Sequence, residues 1–140
     1  VYPALCRTGI KNFWSFQLTS ATALILFAHG ARDPEWARPL QRVQAAITAS
    51  APERRVDMAF LEFMTPTLAE CVDALAAAGV TSAVVVPMFI AQGGHLKRDV
   101  PELLAVLRER HPAMTLTLAP AIGESASVIE AMAQAALAAG

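Results

Sequence analysis

The run Ala23-Leu24-Ile25-Leu26-Phe27-Ala28 leads directly into His29-Gly30. Six apolar residues in a row are short for a helix and suit a strand covered on both faces. Ala83-Val84-Val85-Val86 reads the same way. Val56-Asp57-Met58-Ala59-Phe60-Leu61 alternates only partly, and Met114-Thr115-Leu116-Thr117-Leu118 alternates cleanly. Each run is followed by a stretch with helical spacing, so the chain reads strand, helix, four times over. That pattern predicts an α/β fold built on a parallel sheet. Fully covered strands belong in the centre and alternating ones at the edges. The expected architecture is a three-layer sandwich with a four-stranded parallel sheet, order 2-1-3-4, and helices on both faces by right-handed crossover.

The expected elements can be placed from local signals. The first strand spans about 22–28, and Asp33-Pro34 then supplies an N-cap and a proline at the first helical position. Trp36, Leu40, Val43 and Ile47 follow at helical spacing. Pro39 predicts either a kink or a helix that begins near it. The second strand spans about 55–61. Thr65-Pro66 opens a helix with Leu68, Cys71, Val72 and Leu75 on one stripe, and Gly79 closes it. The third strand spans about 82–87, followed by a helix with an Asp99 to Glu102 capping box and Pro101 in the first turn. Val100, Leu103, Leu104 and Leu107 form its buried face, and His111-Pro112 ends it. A strand at about 114–119 and an Ala-rich helix from about 125 to 138 complete the chain.

The 140 residues correspond to one ordinary domain, expected over 21–140. Residues 1–20 fit no periodic template and read as an irregular leader, a mis-assigned or non-homologous start. Arg7 and Lys11 ahead of Ala21–Ala28 mimic a signal peptide, but cleavage there would sever the first strand from the domain. The hydrophobic fraction of 55% exceeds the usual 45–50% or so and argues for buried strands, a buried interface, or both. A net charge of −1 gives no general case for nucleic acid or an anionic membrane, so neither is expected as a partner. No apolar stretch approaches the roughly 20 residues that span a bilayer. Cys6 and Cys71 form no CxxC pair or zinc-finger spacing, and no disulfide is expected. The composition fits a reducing, cytoplasmic setting.

Three polar residues able to bind a metal stand where apolar runs end. His29 follows the first run, Glu62 the second, and His95 lies in a Gly93-Gly94-His95 loop beyond the third. In a parallel sheet those ends share one edge, and open α/β sheets bind ligands outside it where the strand order reverses. Two imidazoles and a carboxylate are therefore expected to converge on one crevice. Imidazole suits Fe, Co, Ni and Zn, while a carboxylate completes such a site or accepts a proton. Taken singly, each has a plain structural reading as a strand-end or connector residue. The double glycine before a helix also fits a phosphate cradle, although no GxGxxG or Walker sequence accompanies it. Met88 and Phe89 are apolar where a connection should be polar; they read as the wall of a large flat ligand or as packing beneath the loops. Arg32, Lys97 and Arg98 flank the histidines as ordinary surface cations or as clamps for ligand carboxylates. His111 reads as a helix-end charge partner or a surface residue.

Three segments together carry a family resemblance: Leu26 to Pro34 (LFAHGARDP), Phe60 to Leu68 (FLEFMTPTL) and Pro87 to Pro101 (PMFIAQGGHLKRDVP). They resemble the small sirohydrochlorin chelatases, the class II chelatases of the CbiX/SirB type, over roughly residues 22–138. The resemblance implies insertion of Co²⁺, Fe²⁺ or Ni²⁺ into sirohydrochlorin without ATP, for cobalamin or siroheme synthesis. It implies His29 and His95 as metal ligands, Glu62 as the acid, and no cofactor beyond the substrate metal. Related longer chelatases contain two such halves, so the resemblance implies a homodimer here. A non-catalytic metal or tetrapyrrole carrier on the same fold, or a flavodoxin-like module, are the competing readings. Turnover separates the first of these from an enzyme, and a yellow colour on purification would mark the second.

Overall fold

The computed structural model of the protein describes residues 22–140. The expected leader at 1–20 lies outside the described residues. Strands β1 (Ala23–Ala28), β2 (Val56–Phe60), β3 (Ser82–Pro87) and β4 (Thr115–Leu118) form one sheet. All pairings are parallel and the order is β2-β1-β3-β4, as the strand patterns predict. Ile25 aligns with Asp57 on one side and Val85 on the other. Helices α1 (Arg38–Ser50), α2 (Leu68–Ala77), α3 (Gly94–Arg110) and α4 (Ala126–Ala139) follow the four strands.

The two faces of the sheet are packed unequally. Ala23, Ile25 and Phe27 of β1, with Ala83 and Val85 of β3, face α2 and α3 and are fully buried. They meet Leu68, Cys71, Val72 and Leu75 of α2 and Val100, Leu104 and Leu107 of α3. This is the main core. The opposite face is thin: Leu24, Val84 and Val86 are only half-buried, and neither α1 nor α4 has a buried residue. On this α1/α4 side the expected cover is complete at Leu26 and Ala28 of β1, which are buried, and partial at Leu24, Val84 and Val86. Trp36 and Val43, placed on the α1 stripe by spacing, are 42% and 38% exposed.

Helix starts were the least legible feature. Asp33 caps a 3-10 turn at Pro34–Ala37, its carboxylate accepting from the Glu35 N–H at 2.9 Å. The α-helix proper begins at Arg38 with Pro39 in its first turn, the second of the two arrangements Pro39 allows. Helix α2 begins two residues later than Thr65-Pro66 implied. Thr67 and Glu70 form a reciprocal capping box there, at 3.2 and 2.9 Å. The largest correction concerns α3. No capping box at Asp99–Glu102 opens it; Gly93 does, and Pro101 lies inside the helix. Leu96 packs against the main core and extends the Val100, Leu104, Leu107 stripe by one turn. That packing outweighs the hydrogen bond that a mid-helix proline forgoes.

Candidate active site at the carboxyl edge of the sheet

His29 and Glu62 are placed by the ends of β1 and β2. Beyond the strands, Leu61 N–H donates to the Ala28 carbonyl at 2.9 Å and Glu62 N–H to the His29 carbonyl at 3.0 Å. The ladder thus runs on past both strands and fixes the two residues side by side. Gly30 makes this approach possible. Its φ is +86°, and a Cβ there would sit 2.0 Å from the Glu62 carbonyl oxygen. The glycine after His29 thus does more than turn the chain sharply: only a residue without a side chain fits against β2 here.

Both His29 and Glu62 are exposed to solvent. The His29 ring rests on Phe89, with centroids 4.4 Å apart and planes tilted by 41°. Phe89 is itself 3% exposed and meets Phe27 edge-on at 5.8 Å. The Phe89 ring is therefore a platform beneath His29, joined to the core, and not an open wall for a ligand. Met88 is half-buried, packed against the Ala28, Ala37 and Phe60 cluster, and also lines an apolar groove on that face of the sheet. The apolar surface at this edge comes from Phe63 and Ile90 instead, 59% and 72% exposed. Gly123 holds the loop beside Phe89 by a 3.0 Å bond to the Phe89 carbonyl, and its Cα approaches Ile90 too closely for any side chain.

Phe63 escaped the sequence reading. It sits at φ +63° in a tight turn closed by Met64 N–H to the Glu62 carbonyl at 2.8 Å. A bulky residue in that region of backbone space is strained. The turn places the Phe63 ring beneath the Arg32 guanidinium, 5.1 Å from carbon to centroid. The available signal was an aromatic residue directly after a strand-end acid, in Glu62-Phe63-Met64.

His95 lies in the first turn of α3 rather than in a loop, with Lys97 and Arg98 on the same turn, all exposed. An Arg98 terminal nitrogen is 3.4 Å from His95 Nδ1. A guanidinium only donates, so Nδ1 is the acceptor in this contact, and ligation through Nδ1 requires Arg98 to withdraw. Arg98 also reaches Asp99 at 3.3 Å. The first turn carries no acidic residue and no side-chain cap. Cations there oppose the helix dipole, and an anionic ligand would relieve that conflict.

The expected convergence is only partly realised. His29 and Glu62 are neighbours through their backbones, and His95 emerges at the same edge from α3. Among the described residues, however, no three histidine, cysteine or carboxylate side chains gather into a metal-holding group. The edge offers separate imidazoles open to solvent, not a closed cage. His111 lies away from this edge, at the end of α3, where its Nε2 donates to the Asp73 carboxylate at 2.6 Å. No helix among the described residues is long and apolar enough to cross a membrane.

The CbiX family model matches residues 23–139. The chain belongs to the CbiX family. Among curated CbiX-type relatives, the sirohydrochlorin cobaltochelatase of Saccharolobus islandicus (strain L.S.2.15) is 40% identical over 83 residues, which are 59% of this chain and 63% of that one. The sirohydrochlorin cobaltochelatase of Methanopyrus kandleri is 34% identical over 84 residues, 60% of this chain and 59% of that one. The matched stretch thus spans about three fifths of these relatives' length. The CbiX protein of Marinobacter aquaeolei VT8 superposes with a TM-score of 0.73 at 30% identity, covering 82% of this chain and 93% of that one. SirB from Bacillus subtilis subspecies spizizenii, solved with cobalt, shares the fold with a TM-score of 0.69 at 24% identity. The comparison covers 81% of this chain and 49% of SirB.

Proposed function

We propose that this CbiX protein is a sirohydrochlorin chelatase that inserts Co²⁺, or Fe²⁺ or Ni²⁺, into the macrocycle without ATP, in the cytoplasm, for cobalamin or siroheme synthesis. The observation that carries the reading is the pairing of His29 and Glu62 across the close approach at Gly30. One strand end presents a ligand and the next presents a base. The names of the curated relatives support the substrate and the metal. The functional unit is the single domain at 21–140, and it works as a homodimer.

The chemistry follows from what insertion demands. The ion must shed water, and the ring must lose its two pyrrolic protons. His29 and His95 hold the ion weakly and leave positions open toward the ring, which suits a substrate that has to depart. Glu62 accepts protons as they leave. Arg32, Lys97 and Arg98 bind the carboxylates of the substrate, with the uncapped start of α3 adding backbone N–H donors. Capture of a carboxylate by Arg98 also frees His95 from its contact, which couples substrate binding to metal ligation. Phe63 and Ile90 offer the apolar contact area first assigned to Met88 and Phe89. No cofactor beyond the substrate metal enters this scheme.

The test mixes protein, sirohydrochlorin and each metal anaerobically and follows the visible spectrum. His29→Ala and His95→Ala should each remove most of the insertion rate with the fold intact. Glu62→Gln should retain Co²⁺ affinity better than turnover. Near wild-type rates in both histidine variants would refute the site. A wild-type protein that binds metal and macrocycle without accelerating insertion would be a carrier instead.

A further inference from the structure

Phe63 fits neither its backbone nor its surroundings in the ordinary way. Its φ of +63° lies in the left-handed region, where a bulky side chain is strained and glycine or asparagine is the usual occupant. Burial does not offset that strain, since the residue is 59% exposed. What the ring does meet is Arg32, whose guanidinium carbon lies 5.1 Å from the ring centroid. Strained residues gather at ligand sites, and this one directly follows Glu62. Arg32 is held there without being neutralised. Among the described residues it forms no ion pair: Glu35 pairs with Arg38, and Asp33 accepts from the Glu35 N–H. Arg98, by contrast, already reaches Asp99. A ring face attracts a guanidinium through its quadrupole and leaves the full charge and the N–H fork for a carboxylate.

We infer that Phe63 is a positioning residue: its ring holds the Arg32 guanidinium near the His29–Glu62 pair, where Arg32 takes a carboxylate on the rim of the macrocycle and selects a substrate so substituted. The inference rests on the chelatase reading and gives Phe63 a role within it that is neither ligand nor base. The two residues come from different strand ends, Arg32 from the turn after His29 and Phe63 from the turn after Glu62. The close approach at Gly30 that sets His29 beside Glu62 also brings this pair together. Without the ring, Arg32 is a long exposed side chain with many open rotamers, and ordering it on binding costs affinity.

The test titrates metal-free sirohydrochlorin into the protein by absorbance and follows Co²⁺ insertion in parallel. Phe63→Leu keeps apolar bulk and removes the π face. It should raise Kd and KM by about two- to fivefold, the factor that a cation–π contact at an exposed site sustains, while kcat holds. Phe63→Trp should bind at least as tightly as wild type, because indole is the better face for a cation. Phe63→Asn suits the left-handed turn, so it should lose at least as much affinity as Phe63→Leu with Tm kept or raised, which separates the effect from misfolding. Arg32→Ala should raise Kd roughly tenfold or more, and adding Phe63→Leu to it should change little further. An equal loss from Phe63→Leu with and without Arg32 would mean that the ring touches the macrocycle itself, and overturns the positioning role. Wild-type Kd and KM in both Phe63→Leu and Phe63→Asn would overturn it too. In either case a wild type that inserts metal leaves the chelatase reading standing. A wild type that neither binds sirohydrochlorin nor inserts metal overturns both.

Discussion

Replacing Gly30 with alanine tests the geometry that holds His29 against Glu62. Two effects add. Alanine at φ +86° pays the left-handed penalty, about 1–2 kcal/mol. Its Cβ would also lie 2.0 Å from the Glu62 carbonyl oxygen, far inside van der Waals contact, so backbone must move. Overpacking of that kind costs about 1–3 kcal/mol. Gly79→Ala is the internal control. Gly79 has nearly the same φ, +81°, but nothing lies within 4 Å of a Cβ there. Both variants share the backbone penalty and the same small gain from a stiffer unfolded chain. Their difference isolates the contact and should be about 1–3 kcal/mol against Gly30→Ala. At about 4 °C per kcal/mol for a domain of this size, that is a gap of roughly 4–12 °C in Tm. Denaturant titration should give the same ordering through the midpoint. The insertion rate should fall with Gly30→Ala and hold with Gly79→Ala, because only the former parts the two strand ends. Equal loss of stability in the two variants would refute the close approach, and with it the argument that β1 and β2 position the site.

Two further outcomes follow from ionisable groups away from the site. Burial pushes the Cys71 thiol up to about 12, with Asp57 adding to the effect, so iodoacetamide at about pH 8 should leave the Cys71 peptide unmodified until the protein unfolds. The sign for stability follows from the same shift: Cys71's contribution is intact below 9.0 and is lost as pH rises toward 12, and Cys71→Ala should flatten that alkaline decline in Tm. At the other end of the sheet, the hydrogen bond from His111 holds the Asp73 carboxyl below its ordinary 3.8, with Arg110 assisting at 3.1 Å. Asp73→Asn should therefore lower Tm at about pH 5, and the difference from wild type should shrink as pH falls from 3.8 through the lower pKa of the folded carboxyl, vanishing once Asp73 is protonated; a difference that persists there would refute the pairing.

The sheet was legible because hydrophobic burial writes it into short windows. A strand covered on both faces is apolar throughout and an edge strand tends to alternate, so β1 to β4 and their order could be read from the pattern along each run. The chain positions of His29 and Glu62 followed from the same logic, since a strand's end is a local property. What the windows could not contain was distance between segments. The start of α3 depended on Leu96 finding the core, and that moved His95 from a loop into a helix and set it against Arg98. Phe63 took the exposed place expected of Phe89 for the same reason. Phe89 is buried because it meets Phe27 of β1 and His29 just beyond that strand, and Phe63 is exposed because a tight turn after Glu62 turns it outward. The helical stripe of α1 was periodic as read, yet periodicity states only that a face wants cover. Whether the sheet supplies that cover is decided by packing in three dimensions, and on the α1/α4 side it does so only in part.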